Sequence, residues 1–141
     1  MYKISTRGQY ALLIMEDLAQ MPQDTYTPLK ILSHRRNLSV KYLEQILIQL
    51  GKNNLVIGSR GINGGYKLSK KPSEYTVGEI LRAMEGNLSP RENLKENYFE
   101  SLGNKTFWKD FETTINNYVD SITLDVLAKK SEEFVGFDYC I

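Results

Sequence analysis

Cysteine is almost absent from this sequence, which limits the chemistry open to the protein. Cys140 is the single cysteine among 141 residues. One thiol cannot close an internal disulfide, and it cannot supply the several thiolates that an iron-sulfur cluster or a cysteine zinc site requires. These groups are therefore excluded within one chain, and we predict neither a metal nor another cofactor.

Long apolar runs are missing as well. No stretch approaches the roughly 18 consecutive apolar residues that span a bilayer, although 41% of the residues are hydrophobic. The chain opens with MYKISTRG, which lacks the apolar segment and cleavage site of a secretory signal. We therefore expect a globular cytoplasmic protein without a membrane segment.

Histidine is represented only by His34. Nucleophilic catalysis needs a nucleophile beside a base, and Cys140 has no histidine near it in the sequence. We predict no catalytic residue and no enzymatic activity, with His34 as a polar residue of a short helix.

Positive charge is concentrated in one half of the chain. Residues 1–75 contain eleven Lys and Arg against five Asp and Glu, whereas residues 76–141 contain seven against twelve. A basic module joined to an acidic one suggests that the first half contacts a polyanion such as nucleic acid. Ordinary scatter of surface charge is the alternative.

Apolar spacing and capping residues predict three helices in the first 52 residues. The first follows a Thr6 cap over about 7–20. The second and third are separated by a brief break, which predicts a helix-turn-helix. Their expected bounds are about 28–35, opened by Thr27 and Pro28, and about 40–52, capped by Ser39.

The third helix has two different faces on a helical wheel. Its leucine-rich stripe is predicted to be buried, and the opposite face points outward. Lysine can neutralise phosphate, glutamine and glutamate can bind base edges, and an exposed isoleucine can touch a thymine methyl. The face therefore suits major-groove contact, although a solvated face of mixed polarity is the alternative. Its members are Lys41, Gln45, Ile48 and Lys52, with Glu44 and Gln49 at the edges.

A glycine-rich turn between two β-prone runs, 55–59 and 66–69, predicts a hairpin directly after the helix-turn-helix, in the position of a wing. Arg60 at its base can enter a narrow minor groove, and Lys67 can lie along phosphates. Arg35 and Arg36 are either phosphate contacts or the positive last turn of their helix.

The second half is predicted to contain further helices around a connector. Thr76 opens a helix that Gly86 ends, and 87–105 is polar and irregular. A long helix from about Thr106 and a short one through Lys130 follow. The apolar face of the long helix is too large for so small a domain to cover, so we predict a two-fold dimer. Its members are Phe107, Phe111, Ile115, Tyr118 and Ile122.

The expected fold is mainly α with a small β-hairpin: a winged helix-turn-helix plus a long C-terminal dimerisation helix. Its expected divisions are a DNA-binding domain at 1–86, a connector at 87–105, and the dimerisation helix and tail at 106–141.

Several ordered blocks resemble the Rrf2 family of bacterial transcription regulators. The resemblance implies a homodimer, with Lys41, Tyr42, Glu44 and Gln45 on the helix in the major groove and Arg60 in the minor groove. The blocks are Ile4 to Tyr10, Tyr42 to Gln45, Leu55-Val56, Arg60-Gly61, Gly64 to Tyr66, Val77 to Ile80, and Ile122 to Leu124.

The chain also departs from part of that family. Its iron-sulfur members have three cysteines in the connector, whereas 87–105 has none, so cluster sensing is not expected. The cysteine-free connector and apolar end resemble the branch that represses cysteine metabolism and acts with cysteine synthase. The resemblance therefore implies double-stranded DNA and cysteine synthase as partners.

The tail is predicted to contact that protein partner through Tyr139 and Ile141. A terminal isoleucine offers a carboxylate beside an aliphatic side chain, which backbone N–H groups of a pocket can capture. Packing of the aromatic tail on the long helix is the alternative. Two other functions stay open for the whole chain: a winged helix that binds only protein, and a redox- or metabolite-sensing regulator of another pathway.

Overall fold

The computed structural model describes residues 3–92 and 99–140, and the side chains of 3–92 and 99–132. It confirms a mainly helical fold with one small hairpin. The elements in chain order are α1 (Thr6–Ala19), α2 (Leu29–Arg36), α3 (Val40–Lys52), β1 (Val56–Ser59), β2 (Gly65–Leu68), a 3₁₀ turn (Pro72–Glu74), α4 (Val77–Glu85), α5 (Leu102–Asp120) and α6 (Leu124–Cys140).

Side-chain caps begin several of these helices. Ser39 accepts a hydrogen bond from the backbone N–H of Tyr42 at 3.1 Å, as predicted for α3. The prediction for α1 was wrong by one residue, because Ser5 is the cap and accepts from Gly8 at 3.0 Å. Thr27 does not cap α2: its backbone pairs with Tyr66.

The core forms where α1, α2, α3, α4 and the hairpin meet. The predicted stripe of α3 is fully buried in it, because its apolar residues recur at helical spacing. Tyr75 is also fully buried, and its hydroxyl donates to the Leu55 carbonyl at 2.6 Å. This bond ties the segment before α4 to the start of the hairpin. The stripe consists of Leu43, Ile46, Leu47 and Leu50.

The wing is an antiparallel pair in which Val56 faces Leu68 and Ser59 faces Gly65. Thr27 lies along the other edge of β2: its N–H donates to the Tyr66 carbonyl at 2.8 Å, and its carbonyl accepts from Tyr66 at 2.9 Å. A single isolated hairpin is marginal in water. This extra pairing therefore anchors the wing to the start of α2.

The C-terminal helices differ from the predicted bounds. Helix α5 begins at Leu102 rather than near Thr106, because Ser101 caps it by accepting from Asn104 at 3.2 Å. It ends at Asp120, so Ile122 lies beyond the helix. Helix α6 continues to Cys140 instead of stopping near Lys130, since no proline interrupts residues 131–140.

Arg82 attaches α5 to the winged domain. Its guanidinium donates to both carboxylate oxygens of Asp120 at 2.8 Å and to the Asn116 side chain at 2.7 Å. Helix α5 itself contains no buried residue among those that the structure describes. Within 3–92 and 99–140, no helix has the length and apolar character needed to cross a membrane.

Candidate nucleic-acid interface

Helix α3 presents the outward face that its sequence predicts. Lys41, Glu44 and Gln45 are exposed, and Ile48 keeps 44% of its surface accessible. Gln49 is half-buried instead, because its amide donates to the Ala83 carbonyl at 3.2 Å. A row of mixed charged, amide and aliphatic groups therefore faces solvent along α3.

The wing and α3 together form an open groove of about 590 Å³. Glu44 and Ile48 line it from α3, and Arg60 lines it from the base of the wing. Tyr66 of β2 also lines the groove. Partial burial and then the charge of Glu44 raise the pKa of its phenol. The structure thus brings two of the predicted α3 residues, Glu44 and Ile48, to one surface with Arg60.

The lysines of the wing differ in their surroundings. Lys67 places its ammonium 4.8 Å from the centre of the Tyr26 ring, in a cation–π contact. Among the side chains that the structure describes, no acid forms an ion pair with Lys67. Lys70 is paired with Glu79 at 2.9 Å. Lys67 is therefore the better placed of the two to attract a phosphate.

Arg35 and Arg36 are held by Asp17 of α1, whose side chain is fully buried. The Arg36 guanidinium donates hydrogen bonds to this carboxylate through two nitrogens, with Nε 2.7 Å from Oδ2. This hydrogen bond, together with the nearby negative charge, raises the pKa of Arg36. Arg35 Nε lies 3.2 Å from Asp17 Oδ1. Both arginines lie in the last turn of α2, as one of the two predicted alternatives had it. Their pairing with Asp17, which joins α2 to α1, was not predicted.

Two residues at this surface were missed by the sequence analysis. Arg7, in the first turn of α1, donates to the Gln45 side chain on α3 at 3.2 Å. Ile62 is fully exposed at the tip of the wing. Arg7 lies 38 positions from Gln45 in the sequence, and no local spacing signals such a contact.

The predicted dimerisation residues occupy different environments. Phe107, Phe111 and Tyr118 are exposed by 53%, 42% and 65%, whereas Ile115 is half-buried. Ile122 packs inside the subunit against the small cluster around Val77 and Leu81. Its assignment to the apolar face of α5 was wrong, because the helix has already ended.

The structure describes only part of the predicted partner-binding segment. Tyr139 falls in α6, in the part where side chains are not described, and Ile141 lies outside the described residues.

A family described as Rrf2, iron-dependent transcriptional regulator, matches residues 4–130. The residues of this chain do not fit an iron-sulfur cluster. The segment 87–105 contains neither cysteine nor histidine. Among the residues that the structure describes, no three His, Cys, Asp or Glu side chains are grouped as metal ligands.

Curated relatives and solved structures agree with this match. The regulator CymR of Bacillus subtilis is 38% identical over 92% of both chains. The regulator IscR of Pectobacterium atrosepticum is 33% identical over 92% of this chain and 81% of its own. The solved structure of B. subtilis CymR, described as the global cysteine regulator, superposes with a TM-score of 0.81 over 92% of this chain and 98% of that chain. The T. potens IscR structure, 37% identical, gives 0.75 over 94% and 90%. The chain belongs to the Rrf2 family of helix-turn-helix transcriptional regulators.

Proposed function

We propose that this protein binds double-stranded DNA as a homodimer in the cytoplasm and represses transcription. The observation that carries the proposal is the surface on which the exposed face of α3 and the wing border one groove. An α-helix fits the major groove of B-DNA, and a wing beside it reaches the backbone or the minor groove.

Helix α3 supplies the contacts to base edges. Glu44 can accept from the cytosine amino group, and Gln45 offers an amide to a base edge. Ile48 projects an aliphatic surface that suits a thymine methyl. Lys41 contributes positive charge at the start of the helix, and the half-buried Tyr42 can direct its hydroxyl to a phosphate.

The wing supplies the second contact. Arg60 is exposed beside Gly61, and its long side chain can enter a narrow minor groove, where the negative potential is strongest. Lys67 lies on the same hairpin and adds attraction to the phosphates.

Helix α5 is the proposed dimer contact. It has 19 residues and none is buried in the subunit. Phe107, Trp108 and Phe111 form a cluster of ring contacts with centroids 5.0 to 6.0 Å apart. A second copy related by a two-fold axis covers this surface and places two α3 helices on two half-sites of the operator.

Cysteine metabolism is the pathway that we propose, because the similar B. subtilis protein is described as the global cysteine regulator. Cysteine synthase is the proposed protein partner, supported by the family resemblance alone. Titrating the full chain with cysteine synthase from the same organism tests this, and the absence of a micromolar complex contradicts it.

The test of DNA binding is the salt dependence of affinity for random duplex. Each phosphate contact by a lysine steepens the dependence of log affinity on log salt by about one. Lys41→Ala should therefore flatten the slope by about one unit. Lys109→Ala, which removes an exposed charge from α5, should leave it unchanged. A wild-type affinity that does not respond to salt would favour the protein-binding alternative.

A further inference from the structure

Two neighbouring side-chain contacts join α1 to α3 beside the proposed DNA surface. The ring of Tyr10 meets the ring of Tyr42 edge-on, with centroids 5.9 Å apart. Arg7 precedes Tyr10 by three residues, and Gln45 follows Tyr42 by three. Residues at this spacing share a helix face, so the Arg7–Gln45 hydrogen bond lies next to the tyrosine pair. The tyrosines thus hold Arg7 near the Gln45 amide.

The donors of Arg7 determine the orientation of the Gln45 amide, that is, which of its oxygen and nitrogen faces Arg7. A guanidinium has five N–H donors and no acceptor. Only the amide oxygen of Gln45 can face Arg7, and Nη2 of Arg7 donates to this oxygen at 3.2 Å. The amide NH₂ of Gln45 is left on the other side, with two donors of its own.

We propose that Arg7 is a specificity-determining residue, because it occupies the amide oxygen of Gln45 and makes this side chain a hydrogen-bond donor toward the base. The inference rests on the proposed base contact of Gln45. It assigns to Arg7 a role beyond general attraction to phosphate.

The consequence concerns which purine Gln45 selects. A free glutamine binds adenine with both ends of its amide, donating to N7 and accepting from the N6 amino group. With Arg7 on the oxygen, the remaining lone pair lies beside a positive charge that repels the N6 amino hydrogens. Guanine presents two acceptors, N7 and O6, in the major groove. The Arg7–Gln45 pair therefore favours guanine over adenine at the contacted position.

The experiment is selection of bound sequences from a random duplex library by the full chain, followed by sequencing. Arg7→Met keeps the aliphatic stem and removes the guanidinium. We expect the ratio of guanine to adenine at one position of each half-site to fall at least about fivefold, which equals ~1 kcal/mol at 25 °C. Lys3→Ala is the matched control, since it removes an exposed charge from the same segment and should leave the ratio unchanged.

The Gln45→Ala background separates positioning from direct contact. Arg7→Met should not change the base preference there, because the amide that Arg7 orients is gone. A shift that persists in this background overturns the inference, and so does an Arg7→Met protein that selects the wild-type motif. Equal weakening on all sequences makes Arg7 a phosphate contact and also overturns it. If the wild type enriches no motif, the proposed function itself fails.

Discussion

The buried carboxylate of Asp17 gives the sharpest test of how α1 is held against α2, the first helix of the helix-turn-helix. Its side chain is fully buried and forms ion pairs with two arginines of α2. Arg36 Nε lies 2.7 Å from Oδ2, and Arg35 Nε lies 3.2 Å from Oδ1. Asp17→Ala removes the single acid that both guanidinium groups share. The contact between α1 and α2 then retains two positive charges without their partner.

The magnitude follows from how exposed the partners are. Removing one partner of a buried ion pair costs ~3–5 kcal/mol, because the other charge stays desolvated. The side chains of Arg35 and Arg36 are 37% and 27% exposed, so water can partly solvate them after the change. We therefore expect Asp17→Ala to lower the free energy of unfolding by about 2–3 kcal/mol.

Urea denaturation followed by circular dichroism, at one protein concentration, measures this loss. The concentration must be held constant because dimerisation contributes to apparent stability. Asp24→Ala is the matched control: its side chain is exposed in the loop after α1, and its effect should stay within about 0.5 kcal/mol. A loss for Asp17→Ala no larger than that of the control would refute the reasoning.

Three further predictions concern other parts of the fold. Gly65→Ala should unfold or displace the wing and weaken DNA binding, because φ is +144° at this position and a Cβ there overlaps the backbone carbonyl of Thr27, just before α2. Unchanged NMR signals of the hairpin backbone amides would contradict this prediction. The hydrogen bond from Arg82, with its charge, holds the pKa of Asp120 below its usual value, so this pair stabilises the fold above about pH 4 and the benefit is lost as the pH falls through the lowered pKa. The difference in urea midpoint between wild type and Arg82→Met should therefore shrink on acidification, and a constant difference would rule this out. Phe111→Asp should convert the dimer to a folded monomer in sedimentation, whereas Thr113→Asp, also on α5, should not; a Phe111→Asp dimer would remove this face from the interface.

Local patterns in the sequence were enough to predict the elements that carry the proposed function. The two faces of α3 follow from apolar residues at a period of 3.6, and all four predicted core residues are buried. The hairpin followed from glycines between β-prone runs. These features depend on neighbours within about one helical turn or one tight turn, and a single chain displays them directly.

Contacts between distant residues required the tertiary structure. The pairing of Asp17 with Arg36 spans 19 positions, and Thr27 anchors a strand that begins at Gly65. Neither sequence neighbourhood contains its partner, so propensity and periodicity gave no signal for them. The Arg7–Gln45 contact is of the same kind. The local sequence around each residue predicts only a polar, exposed side chain, and the packing of α1 against α3 brings Arg7 Nη2 to 3.2 Å from the amide oxygen of Gln45.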